Sequence, residues 1–133
     1  MFIEFLQENV LLLAIIFVCI VMLVFPNGGR KKELIDNDEL IEFINKKQAQ
    51  VVDIRDAQEF KAGHIASSVN IPYKNFSKEL GSLNKDKPTI VVDQASKNSS
   101  RASTLLRRAG FKNVYVLEKG IKGWTEARLP FKR

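Results

Sequence analysis

Apolar and polar positions divide this chain near residue 26. Val10 to Phe25 reads VLLLAIIFVCIVMLVF, sixteen apolar residues without interruption. Beyond it the apolar residues fall into short runs separated by polar segments of helical period. Asp36-Asn37-Asp38 offers caps and early acids for a helix over about 38–47. Leu40, Ile41 and Ile44 form its apolar face, and Lys46 and Lys47 suit its C-terminal end. Val51–Ile54 predicts a strand, Asp56–Ala62 a short helix stopped by Gly63, and Val69–Pro72 a second strand ended by Pro72. Tyr73–Leu80 reads as a helix, followed by a turn around Asn84–Pro88 and a β-branched strand at Thr89–Val92. Ser99 or Ser100 can cap the next helix, in which Ala102, Leu105, Leu106 and Ala109 recur at i, i+3, i+4 and i+7. Gly110 stops it, Val114–Leu117 is a strand, and Gly120–Ala127 is a closing helix that carries Trp124.

Strands alternating with helices imply an α/β domain, a parallel sheet flanked by helices on both faces. In such sheets the sites form at the C-terminal ends of the strands. The loop Asp93-Gln94-Ala95-Ser96-Lys97-Asn98 lies at such an end and runs into the helix of Ser99, Ser100 and Arg101. Free N–H groups at a helix N-terminus favour anions, so Asp93–Arg101 is the expected binding loop.

The N-terminal run changes the picture from a simple domain. As a helix it spans about 24 Å, against a hydrocarbon core of about 30 Å, and Phe5 and Leu6 can extend it. It is apolar on all sides, unlike a core helix with one buried stripe. It lacks the basic start and small-residue cleavage site of a secretory signal. The expectation is one transmembrane helix over about 6–26, with residues 1–29 as anchor and Asn27-Gly28-Gly29 as joint, followed by one domain over 30–133.

Charge sets the orientation. Every Lys and Arg lies at or after Arg30, whereas residues 1–29 carry only Glu4 and Glu8. The basic flank belongs on the cytoplasmic side, which places the N-terminus outside and residues 30–133 in the cytoplasm. The whole chain has a formal charge of +6. A basic C-terminal third without interleaved surface aromatics is only weak evidence for nucleic acid, which is not the expected partner. Cys19 is the single thiol and sits in the apolar run. No Cys/His cluster suggests a metal, and no phosphate-loop or dinucleotide fingerprint suggests a cofactor.

Asp53-Ile54-Arg55-Asp56-Ala57-Gln58-Glu59-Phe60-Lys61-Ala62-Gly63-His64-Ile65 resembles the first signature of rhodanese domains, continued by Asn70-Ile71-Pro72. Ala109-Gly110-Phe111, Val114–Leu117 and Gly120-Ile121-Lys122-Gly123-Trp124 resemble the later motifs, in the family's order. The anchor makes the chain similar to bacterial membrane-tethered, single-domain rhodanese-like proteins, which implies the bacterial plasma membrane. The resemblance implies a sulfurtransferase in which a Cys opening the loop after the central strand carries sulfur as a persulfide, with a loop of the form Cys-x-x-Gly-x-Arg-Ser. It also implies that Asp53 and Arg55 hold the neighbouring loops together. Glu59, Gly63, His64, Pro72, Gly120, Gly123 and Trp124 read as structural positions of the same motifs.

Three positions depart from that loop: Asp93 stands at the Cys, Ser96 at the Gly and Asn98 at the Arg, while Ser99 keeps the Ser. A carboxylate cannot hold a persulfide, so the expectation is a domain inactive in sulfur transfer. It would bind a protein partner or a small anion at the membrane. Asp93 is expected to accept loop N–H groups, or to pair with Lys97 or Arg101, and so to fill the loop from within. The alternatives are sulfur transfer through a thiol of another chain, or an Asp93-dependent hydrolase.

Overall fold

The computed structural model describes residues 1–24 and 33–133. Contacts divide the chain into two units, Met1–Lys31 and Lys32–Arg133. The Asn27–Gly29 joint, the Arg30–Lys32 flank and the end of the expected span lie outside the described residues.

The first unit corrects the expectation of one continuous span. Helix α1 runs Phe2–Glu8 and α2 runs Val10–Val24. The two meet at a 74° bend, and no single helix among the described residues is long and apolar enough to cross a membrane. The break is at Asn9, whose side-chain amide donates to the Phe5 carbonyl oxygen at 2.8 Å while its own N–H donates to the same oxygen at 3.2 Å. An Asn side chain that reaches the preceding turn competes with the helical ladder, a local effect that an apolarity pattern does not register. None of the α2 side chains is buried.

The second unit is a five-stranded parallel sheet in the order β1-β5-β4-β2-β3. Its strands are β1 (Leu34–Ile35), β2 (Gln50–Asp53), β3 (Ser68–Asn70), β4 (Thr89–Val92) and β5 (Val114–Leu117). β4 is buried throughout, as a central parallel strand covered on both faces must be. One face is closed by α3 (Asn37–Lys47) and α7 (Gly120–Glu126), where Leu40, Phe43, Ile121 and Trp124 meet Val51, Ile90 and Val92. The other is closed by α6 (Lys97–Arg108) and the segment around α5 (Phe76–Glu79), where Phe76, Ala102 and Leu106 meet Val52 and Val91. Alternating strand residues thus feed two cores, following the two-residue period of a strand. The short helix α4 (Ala57–Ala62) follows β2.

Helix α3 forms as its sequence predicts. Asp36 accepts from the Glu39 N–H at 2.8 Å, and Glu39 reaches back to the Asp36 N–H, a complete capping box. The stretch Tyr73–Leu80 differs from expectation. It is a 3₁₀ turn (Tyr73–Asn75), the four-residue α5 and a second 3₁₀ turn (Leu80–Ser82). Strand β1 was not expected, because two residues carry no periodicity. Its place is set by pairing Leu34 with Val116 and Ile35 with Leu117.

The chain moves outward from β2 to β3, then returns to lay β4 on the other side of β2. The order in which strands are added across the sheet therefore reverses between β2 and β4, the switch point at which open parallel sheets form crevices. Asp53 is in register with Val92, and the Ile54 N–H donates to the Val92 carbonyl at 2.9 Å. The loops that follow these two strands start side by side.

Candidate binding site at the loop after β4

The loop after β2 is held by a buried ion pair. Asp53 is 1% exposed and Arg55 is 7% exposed. The Arg55 guanidinium donates through Nη2 to Asp53 Oδ2 at 2.8 Å and through Nε to both carboxylate oxygens at 3.1 Å. The Arg55 backbone N–H donates to Asp53 Oδ1 at 2.9 Å, and Nη2 also donates to the Gly63 carbonyl at 2.7 Å. Asn70 bridges the Asp53 and Arg55 carbonyls. Each charge is thus surrounded by hydrogen bonds, which a buried pair requires, and the guanidinium is committed inward.

The loop after β4 is held from its outer side by α7. The Asp93 carbonyl accepts from the Ile121 N–H at 2.9 Å, and the Gln94 carbonyl accepts from the Lys122 N–H at 3.0 Å. The Asp93, Gln94 and Ala95 carbonyls all close on Gly120, whose φ is +59°. A planar trans peptide sets its N–H opposite its C=O. The Gln94, Ala95 and Ser96 N–H groups are therefore directed away from α7. They donate to no described residue, and neither do those of Lys97, Asn98 and Ser99 in the first turn of α6. Six consecutive N–H groups stand without an acceptor among the described residues.

Helix α6 begins at Lys97, three to four residues earlier than expected, and neither Ser99 nor Ser100 caps it. Ser100 Oγ donates back to the Ser96 carbonyl at 3.1 Å. Ser99 lies on the buried stripe with Ala102, Ser103 and Leu106, and its Oγ is the one buried side-chain polar atom without a hydrogen bond among the described residues. That stripe turns Ser99 toward the sheet at the level where β4 ends.

Asp93 does not fill the loop. Its half-buried carboxylate takes none of the six N–H groups and pairs with neither Lys97 nor Arg101. Asp93 instead lines a depression of about 300 Å³ between the two loops, with Asp56, Glu59, Tyr73, Lys74 and Asn98. Of the carboxylates there, Asp56, Glu59 and Asp93 face one free cation among the described residues, Lys74, because Arg55 is already paired. Tyr73 and Lys74 escaped the sequence reading; their position directly after Pro72, at the end of a strand next to β2, was the available signal.

The remaining motif residues support the frame. His64 stacks on Phe60 at 3.8 Å, Nδ1 lies 2.8 Å from the Phe60 carbonyl, and its backbone pairs with Lys132. Trp124 is 4% exposed, and its Nε1–H donates to the Pro130 carbonyl at 3.0 Å. Gly63 packs beside Phe131, and Gly123 beside the Lys119 side chain. Pro72 precedes the Tyr73 turn. None of these reaches the loop except Gly120. Among the described residues no group of His, Cys, Asp and Glu is disposed to hold a metal.

The domain of five parallel strands has counterparts among known proteins. The model of the rhodanese-like domain matches residues 36–127. The chain belongs to the rhodanese-like domain family. The Escherichia coli K12 protein YibN is 36% identical over 121 residues, which cover 89% of this chain and 85% of YibN. The thiosulfate sulfurtransferase GlpE of Shewanella oneidensis is 34% identical over 90 residues, 68% of this chain and 89% of GlpE. Among solved structures, a rhodanese-related protein from Thermoplasma volcanium has a TM-score of 0.69 at 31% identity and covers 75% of this chain and 97% of that one. The match to YibN covers more of the chain than residues 33–133 could supply, so it reaches into the N-terminal apolar segment.

Proposed function

We propose that this rhodanese-like protein binds a protein partner at a bacterial membrane and does not transfer sulfur. The carrying observation is the identity of residue 93: a carboxylate opens the loop where the family resemblance places a thiol, and residues 33–133 contain no Cys. Thiolate nucleophilicity has no substitute in the carboxyl group. An Asp93-dependent hydrolase lacks support, since no metal cluster or clamp of free basic groups converges on Asp93 among the described residues.

The electrostatics favour a peptide over a small free anion. Unpaired N–H groups at a helix end favour an anion by about 0.3–2 kcal/mol. The Asp93 carboxylate on the same depression opposes it by like-charge repulsion. Asp56 and Glu59 add to the opposition. Backbone carbonyls of a partner segment are neutral acceptors and satisfy the N–H groups without that repulsion.

The N-terminal segment serves as the anchor in this proposal. Together α1 and α2 have the length and composition of a span despite their bend, and straightening at Asn9 within lipid would restore one. Basic residues after it set residues 33–133 on the cytoplasmic side.

The test is a thiosulfate:cyanide sulfurtransferase assay on the full chain in detergent, beside Asp93→Cys. Wild type is expected to be silent and the variant to gain activity, because the N–H groups of the loop stand free to serve a thiolate. Turnover by wild type would overturn the proposal and favour a thiol borrowed from another chain. Retention in the membrane fraction after alkaline carbonate extraction tests the anchor separately.

A further inference from the structure

Helix α6 carries Lys97, Arg101, Arg107 and Arg108 and no acidic residue. Arg107 is engaged, with Nη1 at 3.4 Å from Glu33 Oε1 and Nη2 donating to the Val114 carbonyl at 3.2 Å. Lys97, Arg101 and Arg108 have no ion-pair partner among the described residues. Lys97 occupies the first helical position, where a cation opposes the helix dipole. The sequence of α6 therefore concentrates uncompensated positive charge on one exposed side.

Arg101, Thr104, Leu105 and Arg108 recur at i, i+3, i+4 and i+7, and with Tyr73 they line a depression of about 280 Å³. Leu105 and Tyr73 are half-buried and form an apolar floor between the two exposed guanidinium groups. Tyr73 also lines the loop depression beside Asp93. One surface thus runs from a basic groove on α6, over Tyr73, to the acidic rim and free amides of the loop.

We infer that this groove docks an acidic, extended segment of the partner protein, with its carboxylates over Arg101 and Arg108 and an apolar side chain between them against Leu105 and Tyr73. The inference rests on the binding-module reading and names the partner's chemistry. Arg101 and Arg108 are seven residues apart on a helix, about 10.5 Å along its axis. Residues three apart in a segment of polyproline-II conformation lie on one side of it, about 9.3 Å apart, so acids at i and i+3 match the two arginines. Planar guanidinium forks suit carboxylates at such a site. The segment must reach the loop with neutral or basic residues, because Asp56, Glu59 and Asp93 repel acid there. The floor distinguishes the groove from a lipid-facing patch, which would present its cations on a flat or convex surface. The short span of two arginines does not track a nucleic-acid backbone.

The experiment is fluorescence anisotropy of a labelled peptide with glutamates three positions apart and a leucine between them. The full chain is held in nanodiscs of zwitterionic lipid. Wild type is expected to bind, and R101E/R108E to weaken binding tenfold or more as two attractions become repulsions. R101Q/R108Q should give a smaller loss. K61E/K132E carries the same charge change elsewhere and should stay within about twofold of wild type. Thermal unfolding checks that each variant is folded. No binding by wild type, equal loss in both charge-reversal pairs, or full binding by R101E/R108E would overturn the inference. Loss of peptide binding when the lipid is replaced by phosphatidylserine would assign the groove to lipid and overturn it as well. The binding-module reading fails on a different result, sulfur transfer by wild type, so the two failures remain distinguishable.

Discussion

Gly120 lies so close to Asp93 that a methyl group on its α-carbon would be 2.4 Å from the Asp93 carbonyl oxygen. The same methyl would be 2.3 Å from the Ala95 carbonyl oxygen and 2.8 Å from that of Gln94. The loop after β4 is wrapped around the start of α7, and its carbonyls converge where only a hydrogen fits. This contact turns the loop amides away from α7 and leaves them free.

Gly120→Ala should therefore both destabilise the domain and disorder the loop. The left-handed backbone at Gly120 by itself costs a non-glycine residue about 1–3 kcal/mol, and the three collisions with backbone oxygens add to it. Urea unfolding should show the loss. Combined with Asp93→Cys, the same change should abolish the sulfurtransferase activity expected of that variant. Full activity and stability in the double variant would show that the loop is not held by α7.

The Asp53–Arg55 pair gives a second prediction. Asp53→Ala leaves a buried guanidinium without its carboxylate, with the Gly63 carbonyl as its remaining acceptor. The expected cost is about 3–5 kcal/mol, measured as a fall in the urea midpoint with little change in slope. Arg55→Lys should fail too, since a single ammonium cannot reproduce the Nε and Nη2 contacts. A loss below about 1 kcal/mol for Asp53→Ala would show that water reaches the pair.

Ser99 gives a prediction of the opposite sign. A buried hydroxyl without a partner costs about 1–3 kcal/mol in desolvation, and Ala is the better helix former. Ser99→Ala in the wild-type background should leave stability unchanged or raise it by up to about 1 kcal/mol. That corresponds to a melting temperature higher by a few degrees. A clear loss of stability would reveal an acceptor for Ser99 Oγ.

The local signals in the sequence were strong where chemistry and period agree. Asp36 and Glu39 set the start of α3, the β-branched run set β4, and Gly63 and Gly110 marked the ends of α4 and α6. The loop after β4 was identified from the rule that parallel sheets open at their C-terminal ends. Four ordered motifs carried the resemblance to rhodanese domains, which the match over residues 36–127 bears out for the family. The identity of residue 93, and with it the chemical argument against a persulfide, was also legible at once.

Other features depend on distance through space. Strand β1 exists only because Val116 and Leu117 lie beside it. The start of α6 at Lys97 follows the loop pinned to α7, and Ser96 at its N-cap makes no side-chain capping bond. The bend at Asn9 comes from one side chain reaching a carbonyl four residues back. That Asp93 leaves the amides free, and that Tyr73 joins the loop to the arginine groove on α6, required the positions of three elements far apart in sequence. A sequence by itself determines propensities, charges and the atoms available for chemistry, because those belong to single residues and near neighbours. Which of those atoms face one another is decided by packing, since each contact here joins groups whose separation along the chain carries no period or motif.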